Sequence, residues 1–192
     1  MDSRRRIMDA ALQLFDQTGY NGTGMEDIRK AAGFSTKSSL YAHFAGKEDL
    51  ARAIFMDIIQ AEHEVIQHAL AEPEESAWSR LLKVAKSLAE WGLNHRVAYR
   101  FCFVRQHQDA FLRDSQLESQ VIEGNRIAEQ LLQQAREEGE SIRPWPNETL
   151  IGYCQAVINH AIVDGQDPLD DEAIQLRINQ VLVLCSKILK RE

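Results

Sequence analysis

The sequence contains no apolar run near the roughly 20 residues that a bilayer crossing requires; its longest stretch is Val181-Leu182-Val183-Leu184-Cys185. No membrane partner is expected. The basic start, Met1 to Arg6, is followed by Asp9, Gln13 and Asp16, which interrupt the apolar segment of a secretory signal, so the expected location is the cytoplasm. Cysteine is scarce: Cys102, Cys154 and Cys185 stand far apart in apolar surroundings, which argues against a disulfide framework and for buried reduced thiols. None of the six histidines is paired at i, i+4, so neither a metal site nor a cofactor is called for. Sustained period-two alternation is missing, as is an Asn-Gly turn between β-branched runs, so β-sheet is not expected. Also missing are a GxSxG elbow, a phosphate loop and paired carboxylates at a buried helix site, which argues against an enzyme.

What is present is an ordinary globular composition, 44% hydrophobic over 192 residues, with a net charge of −7. The charge is unevenly spread. Residues 1–50 hold seven basic and seven acidic side chains, and residues 51–192 hold 15 and 22, so the whole deficit lies in the second part. A neutral head on an acidic body points to two surfaces with different partners.

Helical periodicity runs through the chain. Ile7, Ala10, Ala11, Leu14 and Phe15 define one face of a helix over about Arg4 to Thr18, with Gly19 placed for a left-handed C-terminal cap. Thr23 and Glu26 have the spacing of a capping box before a short helix over Met25–Ala32. Gly33-Phe34-Ser35 breaks it, and Ser35 is placed to cap a third helix through Tyr41 to Phe44. A long helix follows from Lys47 to about Ala71, and another from Trp78 to Gly92. The aromatic-rich segment after Asn94 reads as helix, and Ser115 with Glu118 opens one that runs to Gly139. Beyond the Pro144 and Pro146 loop come two apolar helices, about Glu148 to Val163 and Asp170 to Lys190. The expected fold class is all-α with about nine helices.

Residues 25–44 form two short helices around a glycine-containing turn, the form of a helix-turn-helix. Met25, Ile28, Ala31, Phe34, Leu40 and Phe44 are the expected buried positions, leaving Thr36, Lys37, Ser38, Ser39, Tyr41 and His43 as a polar face. Hydroxyls of this kind can donate or accept at base edges, and Lys and His reach phosphates or guanine acceptors. Helix N-termini at Thr23 to Met25 and Lys47 to Asp49 offer free N–H groups to phosphate, with Lys47 adding charge.

These residues carry a family resemblance. Thr23, then Ile28 with Ala32-Gly33 and Ser35, then Leu40-Tyr41-Ala42-His43-Phe44, then Lys47-Glu48-Asp49-Leu50 stand in the order of the TetR-family DNA-binding domain, which residues 4–50 resemble. Four residues separate Ser35 from Leu40 where the commonest family spacing has three, and Arg29 stands where Ala is frequent, reading as a solvated or phosphate-facing charge. The resemblance implies a DNA-binding domain over residues 1–50, with the motif at about 25–44, and a helical effector-binding and dimerisation domain over 51–192. It implies a homodimeric regulator on a palindromic double-stranded operator, most commonly a repressor, released by a small, largely apolar effector. The alternative is a small all-α ligand carrier or enzyme with an incidental helix-turn-helix.

The expected DNA contacts are Arg4, Arg5, Thr23, Ser35, Thr36, Lys37, Ser38, Ser39, Tyr41, His43 and Lys47, with Arg4-Arg5-Arg6 resembling an arm for backbone or minor groove. The expected effector residues are Trp91, Tyr99, Phe103, His107, Phe111, Tyr153 and His160, an aromatic wall with a few polar groups. The dimer interface is expected at Val157, Ile174, Ile178, Val181, Cys185 and Ile188, and the long helix from Lys47 is the expected link between head and effector site.

Overall fold

The computed structural model describes residues 2–71, 76–104, 115–165 and 168–191, with the backbone alone over 115–123. Among the described residues the chain is all-α, as expected: α1 Ser3–Gly22, α2 Met25–Ala31, α3 Lys37–Tyr41, α4 Lys47–Ala71, α5 Ala77–Asn94, α6 Arg96–Tyr99, α7 Ser115–Glu137, α8 Asn147–Val163 and α9 Asp171–Leu189. A π-helical turn, Arg100–Val104, continues α6. The β structure among the described residues is one antiparallel bridge, Ile142 with Lys190.

The chain packs into two compact units. The first comprises Met1–Gln60 with Val97–Glu118, the second Ala61–Arg96 with Ser119–Glu192. In the first, the periodic face of α1 supplies Ile7, Ala11 and Phe15, and Ile28, Leu40, Phe44, Leu50 and Phe55 complete the core. Burying each of the larger side chains removes apolar surface from water, at about 1.5–3 kcal/mol apiece. Gly19, at φ +76° and ψ 163°, kinks α1 instead of ending it as the expected left-handed cap; the helix runs on to Gly22, with Thr23 as its C-cap. The π-turn also docks on α1. Phe101 stacks on Phe15 at 5.7 Å, and the Arg100 guanidinium grips both carboxylate oxygens of Asp16 at 3.0 and 2.8 Å.

In the second unit α5, α8 and α9 pack on one another. All three cysteines of the chain are buried and free. The C-terminal end of α8, whose last carbonyls lack helical partners, is closed by two arginines. Arg96, buried at 5% exposure, donates to the carbonyls of Ile162, Val163, Asp164 and Gly165 at 2.7–3.1 Å. Arg177 donates to those of Ala161 and Asp164, each at 2.6 Å. Arg143 does the same for α9, reaching the carbonyls of Ile188 at 3.0 Å and Lys187 at 3.1 Å. Positive charge at a helix C-terminus also complements the dipole.

Candidate nucleic-acid interface

The turn between α2 and α3 is built by a glycine. Gly33 sits at φ +75°, in the left-handed region that side chains disfavour. With it in place, Gly33 N donates to the Lys30 carbonyl at 3.0 Å and Phe34 N to the Arg29 carbonyl at 3.0 Å, closing α2 in a Schellman motif. Two arginines bind the turn's remaining carbonyls. Arg6 of α1 donates to the Ala32 carbonyl at 2.6 Å and lies over the Phe34 ring at 4.9 Å. Arg29 donates to the Phe34 carbonyl while ion-paired to Glu26 at 2.8 Å, with its side chain only 15% exposed. That hydrogen-bonded guanidinium holds the Glu26 carboxyl below the usual carboxylate range. Arg29 is therefore not the solvated or phosphate-facing charge that the sequence suggested; it is a strut of the turn.

The extra residue before Leu40 is absorbed ahead of α3. Ser35 remains in the turn, and Thr36, not Ser35, caps α3, its hydroxyl accepting from Ser39 N at 3.3 Å. Thr36 also shares hydrogen bonds with the Ser38 and Ser39 hydroxyls at 3.1 and 2.8 Å. Leu40 and Phe44 anchor the segment inward. Ser35, Thr36, Lys37, Ser38, Tyr41 and His43 are exposed and Ser39 is half-buried, with Tyr41 at 50% exposure. α3 ends at Tyr41, short of the expected Phe44.

Four other expected contacts have partners inside the head. Thr23 is buried at 3% exposure; its hydroxyl donates to the Gly19 carbonyl at 2.8 Å and meets the Thr18 hydroxyl at 2.9 Å. Nor does Thr23 cap α2: that role falls to Gly24, whose N–H donates to the Asp27 carboxylate at 3.2 Å. The Lys47 ammonium donates to the Tyr20 and Thr23 carbonyls at 2.8 and 2.9 Å and lies 4.4 Å from the Tyr20 ring centre. It ties the start of α4 to the end of α1. Arg4, Arg5 and Arg6 form the first turn of α1, not an extended arm. Arg5 pairs with Asp9 at 2.9 Å and Asp57 at 2.7 Å, and Arg4 lies over the Phe44 ring at 4.9 Å.

The expected effector residues fall in both units. Tyr99 and Phe103 sit in the first unit, their rings 4.8 Å apart. Trp91 is in the second, against His95 at 5.4 Å. Tyr153 and His160 are exposed, lining an open groove of about 1010 Å³ along the outer face of α8 and α9 with Trp145, Val157, Leu176, Leu184 and Ile188. His107 and Phe111 lie outside the described residues. Of the expected dimer positions, Ile174, Ile178 and Cys185 are buried inside the unit, against α5 and α8; Val181 is buried too, at the groove's floor. On α8 and α9 the large apolar side chains left to solvent are Tyr153, Leu176, Val183 and Leu184, at 48–57% exposure. Both stripes of α9 are apolar, and the more regular of the two is the one the fold needs for itself.

Residues 7–54 match the family model described as bacterial regulatory proteins, tetR family. Over this head the chain is similar to the TetR family. LmrA of Bacillus subtilis, an HTH-type transcriptional regulator, is 41% identical over 76 residues, 39% of this chain, and the chain spans only 38% of LmrA's length. Likeness over the rest is one of fold. A tetR-family regulatory protein from Rhodococcus RHA1 superposes with a TM-score of 0.84 at 15% identity, covering 100% of this chain and 99% of that one. AibR, solved with isovaleryl coenzyme A and operator DNA, gives 0.78 at 19% identity, covering 95% and 97%. The TetR fold therefore extends well beyond the matched head. Among the described residues no helix is long and apolar enough to cross a membrane, and no cluster of three metal-ligating side chains occurs.

The struts Arg6 and Arg29 escaped the sequence reading. A glycine turn with free carbonyls announces that donors are needed, but no local pattern ties position 6 to position 32.

Proposed function

We propose that the chain is a homodimeric, sequence-specific regulator of transcription, commonly in this family a repressor, that holds a palindromic operator through α3 and is released by a small-molecule effector. The observation that carries this reading is the exposed polar face of Lys37, Ser38 and Tyr41, joined by Ser35, Thr36 and His43. The struts Arg6 and Arg29 hold the turn that leads into it. A groove reader needs such a face on a rigid short helix, because base contacts are decided within a few tenths of an ångström. One such helix covers one half-site, so two copies are expected at a spacing of one helical turn of DNA or a multiple of it. The exposed stripe of Leu176, Val183 and Leu184 beside Tyr153 is the surface offered to the second copy. AibR, crystallised with both an acyl coenzyme A and its operator, supports a two-ligand reading for this fold. Residues 1–50 serve as the DNA-binding domain and 51–192 as the effector and dimerisation domain. Arg4, Arg5, Thr23 and Lys47 serve by positioning the head.

Selection of duplexes from a genomic library by the purified protein, followed by gel shift on the enriched sequence, tests the proposal. A two-fold symmetric site should emerge, and Lys37→Ala or Tyr41→Ala should each weaken it by about 1–3 kcal/mol, at least about fivefold. Retention of no duplex at low salt, or indifference to both substitutions, would overturn it.

A further inference from the structure

Between α8 and α9 the core holds two thiols that face each other. Cys154 lies one turn from Ile151 and Ile158, and Cys185 one turn from Val181 and Leu189, all of them buried. Cys154 keeps 6% of its surface exposed and Cys185 2%. Cys185 Sγ lies 4.0 Å from the Cys154 carbonyl oxygen, and the two thiols hydrogen-bond each other. A core position asks only for a small apolar side chain, which a buried cysteine supplies. Two thiols brought together from helices far apart in the chain add a chemistry that packing does not use.

Their arrangement makes them unequal. Cys154 donates to Cys185, which holds the Cys185 thiol below its ordinary value against the opposing effect of burial; the same hydrogen bond, with burial, pushes the Cys154 thiol up. Because the thiolate is the nucleophile of cysteine chemistry, Cys185 is placed to attack and Cys154 to resolve. So little of either side chain meets solvent that the oxidant has to be small. We propose that Cys154 and Cys185 are a modification site for hydrogen peroxide, which oxidises them to a disulfide that pins α8 to α9. In the first step the Cys185 thiolate attacks one peroxide oxygen. The O–O bond breaks, hydroxide leaves and takes up the proton that Cys185 released, and Cys185 becomes a sulfenic acid. In the second the Cys154 sulfur attacks the Cys185 sulfur. The S–S bond forms, the S–O bond breaks, and the hydroxyl leaves as water with the Cys154 proton. Two thiols thus give up two electrons, and one peroxide becomes two waters. The bridge closes a loop over residues 154–185, which restricts the unfolded chain. The site stands whether or not the chain binds DNA.

The test uses the full chain, reduced and then exposed either to hydrogen peroxide or to glutathione disulfide, an oxidant too bulky for a buried thiol. Cys102 belongs to the other unit and serves as an internal control. After alkylation under denaturing conditions, trypsin separates the two cysteines at Arg177, so a bridge joins two peptides and is read by mass spectrometry without reductant. Peroxide should link Cys154 to Cys185 while Cys102 stays a thiol, at least about tenfold faster than glutathione disulfide does, and dithiothreitol should restore the thiols. The bridged chain should melt about 5 °C or more above the reduced one, a shift that Cys185→Ser removes. The bridge is read on the unsubstituted chain, so this outcome does not depend on the variant's folding. Thiols that peroxide leaves intact, oxidation of either beyond the sulfenic acid without a bridge, a glutathione adduct on either, or a bridged chain that melts no higher overturns the proposal.

Discussion

Lys37 and Lys47 are ten residues apart and chemically identical, yet they do different work. Lys37 is exposed on α3, while the Lys47 ammonium is spent on two carbonyls and a tyrosine ring. Lys47→Met should lower the stability of the head by about 1.5–3 kcal/mol, the worth of hydrogen bonds to a charged group, and DNA affinity should fall with it. Lys37→Ala should lower DNA affinity while leaving the melting curve in place; melting and gel shift on both variants check the contrast. Glu62 gives a pH signature. Its folded pKa, raised by burial to about 7, lies above the 4.5 of the free group, so the folded chain binds the extra proton between those values. Stability should therefore fall as pH rises from about 4.5 to 7, by on the order of 3 kcal/mol, and level off above. Denaturant titrations across that window should show the slope in the parent and its loss in Glu62→Gln.

At the scale of elements, the ends of helices decide more than their middles. The C-terminus of α8 rests on Arg96, whose guanidinium serves four carbonyls from a buried position. Arg96→Met keeps much of the stem but leaves those carbonyls unpaired, and should cost about 2–4 kcal/mol by chemical denaturation. Gly124 is the converse case, a glycine inside α7 where a Cβ would meet only ordinary contacts at 3.5 and 3.6 Å. Gly124→Ala should stabilise the chain by up to about 1 kcal/mol through helix propensity, read as a higher melting temperature. The helices themselves were legible. α4 begins and ends where its periodicity did, and α9 begins and ends within a residue or so of expectation. The caps were not: Thr36 and Gly24 took roles that pattern gave to Ser35 and Thr23. A capping pattern records which oxygen could serve, and the choice between neighbours depends on which side chain the tertiary structure has already buried.

For the whole molecule, the outer face of α8 and α9 is where assembly should be tested. Leu184→Glu places a charge on the exposed stripe and should yield folded monomers by sedimentation, whereas Ile178→Glu places one in the core and should unfold the second unit. The sequence by itself determined the all-α class, the positions of the long helices, the helix-turn-helix and its family resemblance, because periodicity and turn chemistry are local and survive in any correctly folded context. It did not determine which of two apolar stripes on α9 faces inward, that Arg6 braces the turn, or that Thr23 and Lys47 are turned into the head. Those depend on contacts between residues far apart in the chain, such as Arg6 with Ala32 and Lys47 with Tyr20. The helix-turn-helix read from residues 25–44 thus keeps its place, with its polar face narrowed to the side chains that packing leaves free.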